Sequence, residues 1–370
     1  MFKIKSIKTL ENELLKDSSL DDIHGALSKK QDPDRKLSAD DVQHDVSVLA
    51  RYLIRAYAGW PVHNNITKRK VLNRLTKIYQ SAHDMTAAEL FESLEIVIGM
   101  IPDNHISIDF NHVHAKTKSE RKHKNVGKNF AGRSAIKHKL RNDNIAIIGF
   151  NAMLKDDEFR DAIIKFQNEE LPKSNALIID LRGNSGGNSF YSDKFAQFLC
   201  GAPIDSVKKT YVRTTPEAQK LQQETSPNAK WKNLPKSEKL QLWIKGKYFK
   251  VDKNHAYMKP IFILTDEHTG SSAEMFLLRM LHHPMVTVVG DNSAGMEVYG
   301  NMGHGFLPHS NINIHVGMNY RILEYKNFEL HGYTPNIMCD DGIDAMDMVF
   351  AELAKVHNIK LISHINSLEK

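Results

Sequence analysis

The stretch PIFILTDEHTGSSAEMFLLRMLHHPMVTVVGD (Pro260–Asp291) decides the architecture. Two short apolar runs, Ile261–Leu264 and Val286–Val289, flank a segment whose apolar residues recur at helical spacing. Each run is too short for a stable helix and rich in β-branched residues, so each reads as a strand buried on both faces. Strand, helix and second buried strand, in that order, make a βαβ unit with parallel strands. Gly270, Ser271 and Ser272 fall at the turn into the helix. A serine at that place is a helix cap or a nucleophile, and the local sequence leaves both open.

The same rhythm extends outward. NIAIIGF (Asn144–Phe150) and NALIIDL (Asn175–Leu181) read as strands, with a helix, DEFRDAIIKFQNEEL (Asp157–Leu171), between them. RGNSGG then leads into a helix from about Ser189. Strands alternating with helices predict an α/β core with mostly parallel strands and flanking helices. Residues before this core read as helical. SADDVQHDVSVLARYLIRAYAG opens on a Ser38 cap with acids in its first turn, and TAAELFESLEIVIGMI opens on Thr86 with Glu89 three residues on. ITKRKVLNRLTKIYQSA repeats the helical spacing, and HISIDF (His105–Phe110) alternates like a strand.

The predicted organisation is a helical domain over residues 1–103 and an α/β core over 104–370. The core carries two insertions. Residues 111–142 are polar and basic, with Gly127 and Gly132, and read as a loop or mobile insertion. Residues 206–255 are polar and Lys-rich, with Trp231 and Trp243, and read as a helical subdomain. There is no internal repeat and no long low-complexity tract.

Composition narrows the function classes. With 41% hydrophobic and 25% charged residues over 370, the chain is of ordinary globular type. No run approaches the ~18 apolar residues of a membrane span. The start, MFKIKSIKTLENELLKD, meets acids early and holds no apolar signal core, which predicts a cytoplasmic protein without a membrane partner. Cys200 and Cys339 stand far apart without metal-ligand spacing and read as buried or idle thiols. The net charge of +6 is uneven. Between Lys116 and Arg141 ten Lys/Arg face one acid, Glu120. Such a window is a solvated or lid-like loop, a funnel for acidic substrates or C-terminal carboxylates, or a nucleic-acid surface. Phe130 is its only aromatic residue, which disfavours nucleic acid as a partner.

Four short segments carry chemistry. RGNSGGN (Arg182–Asn188) puts three glycines between a buried strand and a helix, a turn able to hold an oxyanion or to serve only as a tight turn. Ser271 lies at a helix N-terminus, where the dipole stabilises developing negative charge and the next N–H is a ready donor. His105, in IPDNHISIDF beside Asp103 and Asn104, is a base for such a serine or one ordinary histidine among nineteen. Glu329, in NFELHGYTPNI, is an exposed acid or a carboxylate that orients an imidazole.

In this order the pieces resemble the C-terminal processing and tricorn-like serine peptidases. IIDLRGNSGGN is similar to that family's strand and Asn-x-Gly-Gly turn, and TGSSAEMF to its Thr-x-Ser-x-x-Glu nucleophile motif. VVGDNSAG and ELHGYTPNI resemble the two segments that follow. The resemblance implies a crotonase-like α/β core and a peptidase that works through an acyl-enzyme without metal or cofactor, on peptide or protein substrates. By the motif, Ser271 is the nucleophile, and the N–H groups of Gly186 and Ser272 form the oxyanion hole. Gly187 and Gly270 are secondary candidates beside them. One branch of the family activates its serine with a lysine, but that place holds Met296, whose thioether accepts no proton. The tricorn-like branch uses a histidine and a glutamate, and His105 and Glu329 stand at those places. Asn104 replaces the serine that precedes the histidine in that branch. A peptide-binding PDZ module, present in many relatives, has no room in residues 110–143. A catalytically idle member that binds peptides or apolar ligands on the same scaffold is the alternative, and a homo-oligomer stays open.

Overall fold

A computed structural model describes residues 5–110, 113–116, 122–205, 207–225, 234–246, 250–326 and 328–356. The chain forms two compact units, each drawn from three separate stretches. The first takes residues 1–119, 207–245 and 298–324; the second takes 120–206, 246–297 and 325–370.

The second unit is the α/β part. Its six-stranded sheet runs in the order Ile337–Met338, Val286–Gly290, Ile261–Thr265, Ala176–Asp180, Ile145–Phe150, Ile136–Leu140. The first five strands are parallel, and Ile136–Leu140 closes the edge antiparallel. Successive strand residues point to opposite faces. Ile148, Ile179, Ile263 and Val288 therefore enter one core with Phe195 and Phe276, while Ile147, Ile178, Leu264 and Val289 enter another under the helix Ala345–Val356. Helices on both faces explain why these strands are apolar throughout. Cys200 and Cys339 are both buried here, and burial pushes the Cys200 thiol up to about 12, so it stays protonated.

Among its described residues the first unit sets five helices, Ile7–Leu14, Ala39–Arg51, Asn65–Gln80, Ala87–Ile98 and Pro216–Thr225, with an antiparallel sheet. Ser38 and Asp41 form one capping box, Thr86 and Glu89 another. The helix Ala39–Arg51 continues into a π-turn, Tyr52–Ala56, which ends as the Tyr57 N–H donates to the Tyr52 carbonyl at 2.9 Å. The sheet order is Val113–Lys116, Ser107–Phe110, Asn313–Ile322, Lys209–Thr214, Ser237–Lys245, and Tyr299–Phe306 also pairs with Asn313–Ile322. Leu49, Leu72, Leu94, Val212 and Ile314 share one core. Among the described residues no helix is long and apolar enough to cross a membrane.

Three expectations of the organisation change. The units do not divide at residue 103, because Asn313–Ile322 pairs with Ser107–Phe110 after the early helices and also with Lys209–Thr214, joining all three stretches in one sheet. The described residues of 206–255 hold a strand, a helix (Pro216–Thr225) and a strand, where a helical subdomain was expected. Thr210, Val212 and Thr214 alternate into the core at period two, and their polar intervening residues hid the strand. Trp231 lies outside the described residues. In the basic stretch residues 117–121 also lie outside them, but 122–141 are built into the second unit. Val126 and Ala131 are buried. The Asn129 amide donates to the carbonyls of Phe150, Asp180 and Arg182, and IKHKL is the sheet's edge strand. Lys137 and Lys139 lie on this edge strand, where lysines blunt further strand pairing.

Candidate functional site

Ser271 sits where the loop after the strand Ile261–Thr265 meets the helix Ser272–Met280. Its backbone is left-handed, φ 51° and ψ −120°, a conformation costly for any residue with a Cβ. The Ser272 N–H opens the helix and has no acceptor among the described residues, while the Ser272 hydroxyl donates to the Gly187 carbonyl at 2.7 Å. The two serines thus differ: the side chain of Ser272 is committed to holding the glycine turn.

That turn closes directly on Ser271. Gly186 and Gly187 have φ of 105° and 127°. A Cβ on Gly186 would lie 2.8 Å from the Ser271 Cβ and 2.9 Å from the Ser272 nitrogen, so only glycine permits the approach. The Gly186 N–H donates to Asn184 Oδ1 at 2.9 Å. The Gly187 N–H has no acceptor among the described residues. Three further bonds lock the turn to the serine loop. Gly270 N–H donates to the Asn184 carbonyl, Thr269 Oγ1 to the Leu181 carbonyl, and Gly183 N–H to the Asp266 carboxylate, all at 2.9 Å. Arg182, named with this turn in the sequence, is buried away from chemistry in ion pairs with Asp180 and Asp344, each at 2.7 Å.

Glu274 organises the other side of the serine. It is fully buried and accepts four bonds: Ser293 Oγ at 2.5 Å, Gly295 N–H at 2.8 Å, Met296 N–H at 2.7 Å and Ser271 N–H at 3.3 Å. Burial pushes its pKa up to about 7, against the pull of these donors. Sequence marked Glu274 only as part of a motif; a glutamate three residues into a helix looks like an ordinary capping-box member. Through Glu274 the serine is tied to Ser293–Met296. That loop in turn holds the turn carrying Glu329: Leu330 N–H donates to the Gly295 carbonyl at 3.0 Å, and Tyr333 N–H to Ser293 Oγ at 2.8 Å. Glu329 itself lies in a turn, not at a strand end, and is half-buried. Met296 lies against the serine loop, its Sδ 3.0 Å from where a Gly270 Cβ would sit.

The folded pKa of Glu274 exceeds the ordinary 4.5, so the native protein holds this proton more tightly than the unfolded chain. The stability this confers is fully present below about pH 4.5 and is lost as pH rises through about 7. Glu274→Gln should flatten that slope. It should also cost about 1–3 kcal/mol, because the amide nitrogen faces N–H donors. Thermal melts of parent and variant across this pH range test both; an unchanged slope contradicts the assignment.

His105 and Asn104 belong to the first unit, in the bend between the helix Ala87–Ile98 and the strand Ser107–Phe110. Both are buried. Asp103, fully buried, fixes this bend: Oδ1 accepts the His105 N–H at 2.7 Å, and Oδ2 accepts the Tyr57 hydroxyl at 2.6 Å. The Tyr57 oxygen also lies 2.9 Å from His63 Nε2. Burial raises the Asp103 pKa to about 6 and lowers that of His63 to about 4. Nothing in the spacing of Tyr57, His63 and Asp103 announced this group. Tyr57→Phe removes a donor to the carboxylate form. It should therefore cost about 1–3 kcal/mol at pH 7 and less at pH 5, where Asp103 is largely protonated. Urea midpoints at the two pH values test this, and equal losses would contradict it.

Among the described residues, one group has donor atoms close enough to share a cation: His123, Glu267 and Asp291, mutually within 4.8 Å. The Asp291 carboxylate already accepts the N–H groups of Lys124 and Asn292.

Comparison with known proteins adds the following. Residues 144–338 match the model of peptidase family S41. Among solved structures, one from Parabacteroides merdae, described as a candidate peptidase, is 17% identical. It covers 88% of this chain and 100% of its own, with a TM-score of 0.59. Mature CPAF complexed with lactacystin is 12% identical and covers 86% of this chain and 97% of its own, with a TM-score of 0.52. At such identities the likeness is one of fold. No curated protein sequence matches the chain.

Proposed function

The chain belongs to peptidase family S41, whose model spans more than half of it, and from that premise we propose that it cleaves peptide bonds through an acyl-enzyme on Ser271. The observation that carries the reading is the left-handed Ser271 at a helix N-terminus, with the Gly186–Gly187 turn closed against it. Ser271 Oγ attacks the substrate carbonyl and gives its proton to His105, which returns it to the leaving amine; water then repeats the sequence on the ester. Glu329 orients the imidazole and stabilises its charged form. The Ser272 N–H is one oxyanion donor. The other comes from the glycine turn; since Gly186 already donates to Asn184, Gly187 is the favoured donor.

Met296 beside Gly270 supports a base other than a lysine at that place. Asp103 and Tyr57 act as positioning residues, holding the main chain of His105 rather than its ring. An activated ester tests the proposal directly. A burst of one acyl equivalent per chain, lost in Ser271→Ala, is expected; turnover that survives this change defeats it.

A further inference from the structure

The first unit contains an open hollow of about 970 Å³, lined by the helix Ile7–Leu14, the π-turn, the start of the helix Asn65–Gln80 and two sheet residues. Five cations line it, Lys8, Arg55, Lys68, Arg69 and Arg213. Only two carboxylates face them, and both are already engaged. Glu11 accepts the Trp60 indole N–H at 2.8 Å, and Glu238 pairs with Arg55 at 2.6 Å.

Arg213 is the unusual member. It is 4% exposed, and its guanidinium donates to three main-chain carbonyls, those of Arg55, Glu238 and Ile54. No carboxylate forms an ion pair with it among the described residues. The neighbouring guanidiniums differ: Arg51 and Arg55 both reach Glu217. Carbonyl dipoles satisfy Arg213's hydrogen bonds, while Glu238, Glu217 and Glu11 act on its charge without direct contact, and a buried charge is costly unless closely paired. Burial also lowers its pKa to about 10, an unusual value for arginine. Lys68, on the same wall, is lowered too, chiefly by burial, and donates to the Pro61 carbonyl at 3.2 Å. Ile54, Trp60 and Leu15 give the wall an apolar part, and Ser6, Asn12 and Asn65 complete its polar rim.

A wall with five cations against two engaged carboxylates, and with apolar surface beside them, selects one ligand chemistry. We propose that the hollow binds a small carboxylate with an apolar body, its carboxylate held by Arg213 and Lys68 and its body lying on Trp60 and Ile54. Inorganic phosphate would satisfy the charge but leave the apolar wall wet. Its volume suits a small molecule or a short chain end. Two sources share the chemistry, a fatty acid and the C-terminal end of an apolar peptide.

The test is calorimetric titration of the full chain carrying Ser271→Ala, so that nothing is hydrolysed. The probes are decanoate, acetyl-Leu-Val-Phe with a free carboxylate, the same peptide as its amide, and inorganic phosphate. At least one carboxylate should bind, and the tighter of the two identifies the source. If the peptide acid binds, its amide should be weaker by roughly tenfold or more. Lys68→Gln, a change on a helix surface that spares folding, should weaken the bound carboxylate by a similar factor; Arg213→Gln should abolish binding. Equal binding of acid and amide, binding of phosphate alone, or full affinity in Lys68→Gln would overturn the proposal. The readout is independent of catalysis, so its failure leaves the peptidase reading untouched. Conversely, an inactive Ser271 leaves this site standing, and Lys68→Gln alone should hydrolyse a small activated ester at the parental rate.

Discussion

Ser271→Ala lowers turnover roughly 10³-fold or more, and the protein still folds. The loss follows from chemistry: without Oγ no acyl-enzyme forms, and only the oxyanion donors and substrate binding remain. Survival of the fold follows from the local structure. The Ser271 N–H bond to Glu274, the Gly186 N–H bond to Asn184 and the Ser272 hydroxyl bond to the Gly187 carbonyl do not use the Ser271 side chain and survive the substitution, which removes only the capping-box contact of Oγ with the third helix residue. Ser271→Gly sharpens the test. Glycine accepts φ 51° and ψ −120° without the penalty of a Cβ, so this variant should be at least as stable as Ser271→Ala, by about 1 kcal/mol of relieved strain, while being equally inactive. Ser272→Ala should keep most of its activity, with a modest stability loss from the bond to the Gly187 carbonyl. A fluorophosphonate probe followed by peptide mapping should mark Ser271 alone. A label on Ser272, or an active Ser271→Ala, would refute the assignment.

His105→Ala should cost on the order of 10³-fold in kcat/KM, and Glu329→Gln less, if the glutamate only orients and stabilises the imidazole. A histidine base must be neutral to accept the serine proton, so activity should fall on the acid side. Met296→Ala should leave that profile in place, because a thioether does not titrate. Asp103 gives a useful contrast. Asp103→Asn keeps an acceptor for the His105 N–H but alters the bond with Tyr57, so it should lower the rate without moving the acid limb. Rates against pH for parent and variants separate these roles. Near-parental activity in His105→Ala would remove the imidazole from the mechanism.

Much of the second unit was legible along the chain. The strands Ile145–Phe150, Ala176–Asp180, Ile261–Thr265 and Val286–Gly290 stand where apolar runs placed them, because a strand buried on both faces must be apolar at every position. The caps at Ser38 and Thr86 were equally plain, since a capping box spans only four residues. Charge misled over residues 122–141. The many lysines resemble a solvated loop, yet alternation at IKHKL and the amide of Asn129 fasten the segment to the sheet.

Properties that depend on residues within a turn or two of each other, namely strand and helix identity, caps, and a serine after a glycine at a helix start, are set by sequence alone. Properties that depend on distant stretches meeting required the folded chain. The division into interleaved units arises because Asn313–Ile322 pairs with both Ser107–Phe110 and Lys209–Thr214, and no local pattern encodes a partner a hundred or more residues away. The same holds for Glu274, an ordinary helix-start acid in sequence. Only folding buries it and brings Ser293, Gly295 and Met296 to its oxygens. Likewise the Tyr57–Asp103 pair beneath His105 and the carbonyl-bound guanidinium of Arg213 exist only once burial has removed water as the alternative partner, which is what makes each hydrogen bond there matter.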